Sequence, residues 1–147
     1  MDLYTGGSGF VVFNYDCDKI LLGKRTDGQG WALPAGKRIE NELPLLTAIR
    51  ETKEEFGITI DILNAKYFGK IYAKVLSRGK YINVISNIFY TDKFEGEITP
   101  QESEVEEIRW CDFQDILDLD RIYPPSLASI NRFVYPIWEK SIGKKYF

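Results

Sequence analysis

The sequence contains no histidine, which removes every catalytic triad and every zinc site that depends on imidazole. Catalysis must then rest on carboxylates, lysine, tyrosine, hydroxyls or thiols. Cysteine is scarce as well: Cys17 and Cys111 form no CxxC pair and are too few for a disulfide framework. They are expected to be buried thiols in a reducing compartment, and zinc is not expected. No apolar run approaches the roughly 20 residues of a membrane span, and Met1-Asp2-Leu3-Tyr4 lacks the basic start of a signal peptide. These absences predict a cytoplasmic protein with no membrane partner. A basic excess is missing too. With a net charge of −3 and interleaved signs, binding to nucleic acid by phosphate neutralisation is not expected. A polyanionic ligand would need local help from metal ions held by acidic residues.

What is present suffices for one core. The 147 residues are 44% apolar and 28% charged, without internal repeat, low-complexity tract or long linker, so 1–147 is expected to be a single domain. Two β-rich runs, 9–15 and 19–23, flank Asp16-Cys17-Asp18 and predict a hairpin. After a loop over 24–30, Trp31-Ala32-Leu33-Pro34-Ala35-Gly36 is a short apolar piece stopped by proline and glycine. Pro44 suits a first helical turn, Leu45, Ile49, Thr52 and Phe56 form one apolar stripe, and Gly57 ends the helix. Residues 59–73 and 81–91 predict two longer strands around a Ser77-Arg78-Gly79 turn. An acidic loop over 95–107, a short strand over 108–111, a small helix near 114–117 and a last helix from Pro124-Pro125-Ser126 complete the chain. Strand runs with a few separated helices indicate an α+β fold with a mixed β-sheet between helices.

At about 100° per residue, Glu51, Glu54 and Glu55 fall within about a third of the helix circumference, roughly opposite the apolar stripe. Three carboxylates at i, i+3 and i+4 repel one another, and a hard divalent cation reverses that sign. Magnesium binds well where one or two carboxylates meet substrate phosphates, and it would polarise a phosphoryl oxygen and acidify a bound water.

The segment 36–58 reads GKRIENELPLLTAIRETKEEFGI. It matches G-x5-E-x7-R-E-U-x-E-E-x-G-U, with U a bulky apolar residue, at Gly36, Glu42, Arg50, Glu51, Glu54, Glu55, Gly57 and Ile58. The one departure is Thr52, at the first U. Seven fixed positions recur by accident about once in a million sequences of this size. This pattern resembles the box of the Nudix hydrolase family, and the lead-in Trp31-Ala32-Leu33-Pro34-Ala35-Gly36 is similar to the W-x-L-P-G-G of its MutT-like members, with Ala35 for the first glycine.

The resemblance implies a Nudix-like α/β/α sandwich and a magnesium- or manganese-dependent pyrophosphohydrolase. The substrate implied is a small-molecule nucleotide, a nucleoside triphosphate or related nucleoside diphosphate derivative, cleaved by a monomer or homodimer. It implies Glu54 and Glu55 as principal metal ligands, joined by the Gly36 carbonyl, with Glu51 a ligand or the base, and Arg50 and Glu42 fixing the loop onto the helix. An acidic stretch before Trp110 resembles one that supplies a further glutamate; Glu104 is the first choice and Glu102 the second.

Arg25 and Arg38 are candidates for phosphate contact. Trp31 is either a core aromatic or a base-stacking platform, and the same alternatives hold for Tyr123, Phe133 and Trp138, with core packing favoured. Pro124-Pro125 is similar to the start of the MutT-like helix near which the base lies. Leu127 stands nearest the Asn of members that clear oxidised guanine nucleotides, with Asn131 a turn later, so that specificity is not implied. Hydrolysis of ADP-ribose, nucleotide sugars or dinucleoside polyphosphates is the alternative within the class, and a non-catalytic nucleotide-binding module the alternative outside it.

Overall fold

The computed structural model describes residues 4–146; Met1, Asp2 and Leu3, over which the absence of a basic leader is read, lie outside the described residues. In chain order the elements are β1 (Tyr4–Val12), β2 (Ile20–Arg25), β3 (Trp31–Ala32), β4 (Ala35–Lys37), α1 (Pro44–Phe56), β5 (Lys66–Ser77), β6 (Lys80–Thr91), β7 (Val105–Cys111), α2 (Phe113–Leu117), α3 (Pro124–Ser129), a π-helical segment Ile130–Val134, and α4 (Tyr135–Tyr146). A four-stranded mixed sheet has the order β4-β1-β6-β5, with β1 antiparallel to β4 and parallel to β6. A three-stranded antiparallel sheet has the order β3-β2-β7.

Strand side chains alternate between faces, so a strand covered on both sides must be apolar at consecutive positions. β1 and β2 show this. Val11, Phe13, Ile20 and Leu22 point into one cluster with Ile130, Val134 and Trp138 of the C-terminal helices, whereas Phe10, Val12 and Leu21 point into another with Ala48 and Phe56 of α1. The α+β layering of helix, sheet and helix follows. No helix among the described residues is long and apolar enough to cross a membrane.

Several local expectations are corrected. The runs 9–15 and 19–23 are joined by a turn, closed by an Asn14 N–H to Lys19 carbonyl bond of 3.1 Å and a bridge between Phe13 and Ile20. They then diverge into different sheets, because β1 finds its ladder partners in β4 and β6 rather than in β2. Residues 59–65 are not strand: Asp61 accepts the Leu63 N–H and caps a 3₁₀ turn over Ile62–Asn64, so β5 starts at Lys66 and runs on to Ser77. Only Arg78 and Gly79 make the turn, with φ of 50° and 78°, the left-handed pair that matches strand twist. The acidic loop ends at Glu104, since β7 begins at Val105.

Candidate active site

Helix α1 has Pro44 at its start and ends at Gly57, whose φ of 77° is left-handed and whose N–H donates to the Lys53 carbonyl. Its buried side carries Ala48, Thr52 and Phe56. Thr52 replaces a larger apolar residue without leaving a bare hydroxyl, which donates to the Ala48 carbonyl at 2.8 Å. Phe56 packs over Gly23, where an added Cβ would lie 2.8 Å from its ring.

Arg50 ties the preceding loop to the helix. Its Nε donates to Glu42 at 2.9 Å, its Nη2 to Glu42 and to the Lys37 carbonyl at 3.0 Å, and its Nη1 to Glu51 at 2.9 Å and Glu54 at 3.2 Å. Arg50 and then the Thr47 hydroxyl hold the Glu42 carboxyl at about 2. The bracing role expected of Arg50 and Glu42 thus has its geometry, and Glu51 and Glu54 do not stand alone on their face: one guanidinium spans both.

Glu51 is half-buried and lies over Gly36, so closely that a Cβ at position 36 would occupy the space of its carboxyl group. Burial raises its pKa, Arg50 opposes the rise, and Glu54 and Glu104 add to it. Glu55 is not on the solvent side with the others but buried, 8% exposed, accepting the Ala35 N–H at 2.9 Å. Burial, with Glu51 and Glu104 adding, pushes its carboxyl up to about 8. Ala35 itself fits where a glycine is usual because Gly9 lies opposite it in β1; a Cβ on Gly9 would come 2.6 Å from that of Ala35.

Among the described residues no three carboxylates already converge into a chelating group, since Arg50 engages two of them and Ala35 the third. The donor set nonetheless fits a hard cation: it is all oxygen, and the carboxyls of Glu51 and Glu55 are raised by their neighbours' charge as well as by burial. Such a cluster gains by exchanging protons for a divalent ion.

Glu51, Glu55 and Glu104 line a cavity of about 850 Å³, together with Gly36, Arg25 and Tyr123. Its far wall is the tip of the β5–β6 hairpin, and Pro125, Ser126 and Ser129 of α3 form a third side. The Arg25 guanidinium stacks 4.1 Å over the Tyr123 ring and donates to Asp27 through Nε and Nη2, at 3.0 and 2.6 Å. Asp27, held at about 2 first by Arg25, also accepts from the Gln29 backbone and side chain.

Not every candidate arrives here. Trp31 is 4% exposed in the core with Arg109 over its ring, and Trp138 is buried with its Nε1 donating to the Cys17 carbonyl. Phe133 stacks on Phe68. Leu127 and Arg38 are exposed and line no part of the cavity. Trp31 therefore lies within the core, and Leu127 and Arg38 stand outside the cavity lining. Conversely, Asp27, Ser126 and the hairpin tip were not evident as site residues. The Arg25-x-Asp27 spacing was the available signal for the first. Ser126, whose hydroxyl accepts the Leu33 N–H at 2.9 Å, had none beyond its place after Pro125.

Glu104 lies on the cavity, whereas Glu106 faces solvent and approaches Lys24 at 3.9 Å. Glu104→Gln is expected to slow turnover at least tenfold, and Glu106→Gln less than twofold, in steady-state assays (order of magnitude from loss of one charged group near a metal). Equal small effects would show that the acidic stretch only solvates the surface.

The NUDIX domain profile matches residues 5–133. The chain belongs to the Nudix family. It is 30% identical over 109 residues to the m7GpppN-mRNA hydrolase of Saccharomyces cerevisiae, a match covering 74% of this chain and 11% of that much longer protein. It is 31% identical over 104 residues to the Nudix hydrolase YvcI of Bacillus subtilis, covering 69% and 63%. The MutT protein of Methanosarcina mazei Go1 superposes with a TM-score of 0.72 at 21% identity over 95% and 96% of the two chains, a likeness of fold.

Proposed function

We propose that this Nudix hydrolase is a magnesium-dependent pyrophosphohydrolase that cleaves the diphosphate linkage of a nucleoside triphosphate or related nucleoside diphosphate derivative. The observation that carries the reading is a single cavity with Glu51, Glu55 and Glu104 on one wall and Arg25 beside them. Glu54, Glu55, Glu51, Glu104 and the Gly36 carbonyl are assigned to hold the ion, magnesium or in its place manganese. When bound, the ion supplies charge neutralisation for the inner phosphates and an acidified water. Arg25, fixed by Asp27 and Tyr123, binds a phosphate oxygen; Arg50 orients Glu51 and Glu54; and a carboxylate, Glu51 or Glu104, takes the proton of the attacking water. Tyr123 and Ser126 replace Trp31 and Leu127 as the contacts assigned to the nucleoside.

A triphosphate is expected to yield the monophosphate and pyrophosphate, with a rate that rises through neutral pH because no histidine serves as base. Chromatography of products from a panel that adds ADP-ribose, nucleotide sugars, dinucleoside polyphosphates and capped RNA checks this. Orthophosphate with a nucleoside diphosphate would overturn the mechanism. A preference for ADP-ribose or capped RNA would change the substrate and keep the chemistry; those compounds earn their place because a structural neighbour is a Nudix domain complexed with ADP-ribose and a sequence relative is named an mRNA hydrolase.

A further inference from the structure

The average charge of the chain conceals a segregation. Residues 66–91, comprising β5, the turn and β6, hold five basic residues, Lys66, Lys70, Lys74, Arg78 and Lys80, and none of the chain's 22 acidic ones. None of the five forms an ion pair among the described residues. Strand register decides where they point. Ile71, Val75 and Ile88 turn inward, so Lys70 and Lys74, opposite Asn87 and Asn83, point outward.

The bulge between Tyr67 and Gly69 brings Tyr67 onto that outer face too, where its hydroxyl donates to Asn87 at 2.8 Å. Tyr81, opposite Leu76, ends the row. Tyr67 and Tyr81 are 51% and 76% exposed. At about 3.3 Å per residue the row from Tyr67 to Leu76 is roughly 30 Å long, and Leu76 and Arg78 also line the cavity.

We propose that the outer face of the β5–β6 hairpin is a docking surface for a single-stranded polynucleotide. Lys70 and Lys74 meet phosphates, and Tyr67 and Tyr81 stack on unpaired bases, the combination of cations and aromatic rings that a single strand requires. The charge disfavours a second copy of the same face, which would set lysine against lysine. The surface leads to the cavity mouth, yet the proposal stands apart from mononucleotide hydrolysis and does not depend on it.

The test is fluorescence anisotropy of a labelled single-stranded RNA oligomer with a 5′-hydroxyl end, titrated between about 50 and 200 mM salt, where phosphate contacts are most readily resolved. Wild-type protein should bind it with an affinity that falls with salt. The double variant Lys70→Glu, Lys74→Glu should bind at least tenfold more weakly and lower the log–log salt slope by about 1.4, since a single strand gives about 0.7 per contact. Tyr81→Ala should weaken binding about tenfold and leave the slope unchanged, as loss of a stacking contact does. Both variants should hydrolyse a mononucleoside triphosphate at the wild-type rate.

Absence of salt-dependent binding, equal affinity of the variants, or equal affinity for a duplex of the same length would overturn the proposal. So would a wild-type dimer that the lysine variant dissolves in sedimentation, which would assign the face to a second copy. If the wild type binds the oligomer but leaves every nucleotide uncut, the hydrolytic reading fails and this one holds.

Discussion

Glu55→Gln is expected to abolish magnesium-dependent hydrolysis, at least 100-fold, while making the metal-free protein more stable above neutral pH. The two effects share one cause. Glutamine keeps an oxygen to accept the Ala35 N–H but offers the cation no charge. In the metal-free fold the Glu55 carboxyl is held at about 8 against an ordinary 4.5, chiefly by burial. The folded chain therefore binds this proton more tightly than the unfolded chain, and stability falls as pH rises from 4.5 toward 8. At about 1.4 kcal/mol per pKa unit, the loss by pH 8 is roughly 4 kcal/mol.

Thermal unfolding in EDTA from pH 5 to 9 should show this decline for wild type and a flatter profile for Glu55→Gln; parallel profiles would refute the buried carboxylate. Magnesium should restore wild-type stability at pH 8, and its affinity should rise with pH as the proton becomes easier to displace. Glu54→Gln, at an exposed carboxylate, should lose activity without the gain in stability.

Gly36→Ala is expected to reduce turnover about 100-fold with a change in stability below about 1 kcal/mol. The new methyl group would take the space of the Glu51 carboxyl. That group is the end of a flexible side chain and can swing away, so the fold survives, but a displacement near 1 Å at a reacting centre is enough for a loss of this size. Steady-state kinetics with circular dichroism checks both halves. Near wild-type activity would show that Glu51 does not act from its position over Gly36. Unfolding would show that the Gly36 approach is structural.

Much of this protein is legible in one dimension. The box survives as a linear pattern because its residues sit on one loop and one helix, where spacing alone fixes which side chains can meet. Arg50 reaching Glu42, Glu51 and Glu54 is a local geometry of this kind. Apolar runs in β1 and β2 likewise announced strands, though not their partners: a turn joins 9–15 to 19–23, but pairing is settled by distant strands that compete for the same edges. The acid-free stretch 66–91 was equally visible, yet a whole-chain charge averaged it away.

By itself, then, the sequence determined the α+β class, the family and the carboxylates of the box, because helical spacing and residue chemistry are local properties. Tertiary structure alone decided what depends on burial and on long-range register. Helical spacing puts Glu55 on the acidic face away from the apolar stripe, and only the packing of β4 against α1 takes it out of water and raises its pKa. Ala35 is tolerated because Gly9, 26 positions earlier, is its partner across the sheet. Trp31 was ambiguous until the C-terminal helix closed over the core, since an aromatic ring serves a base or a core equally well and only its neighbours distinguish the two.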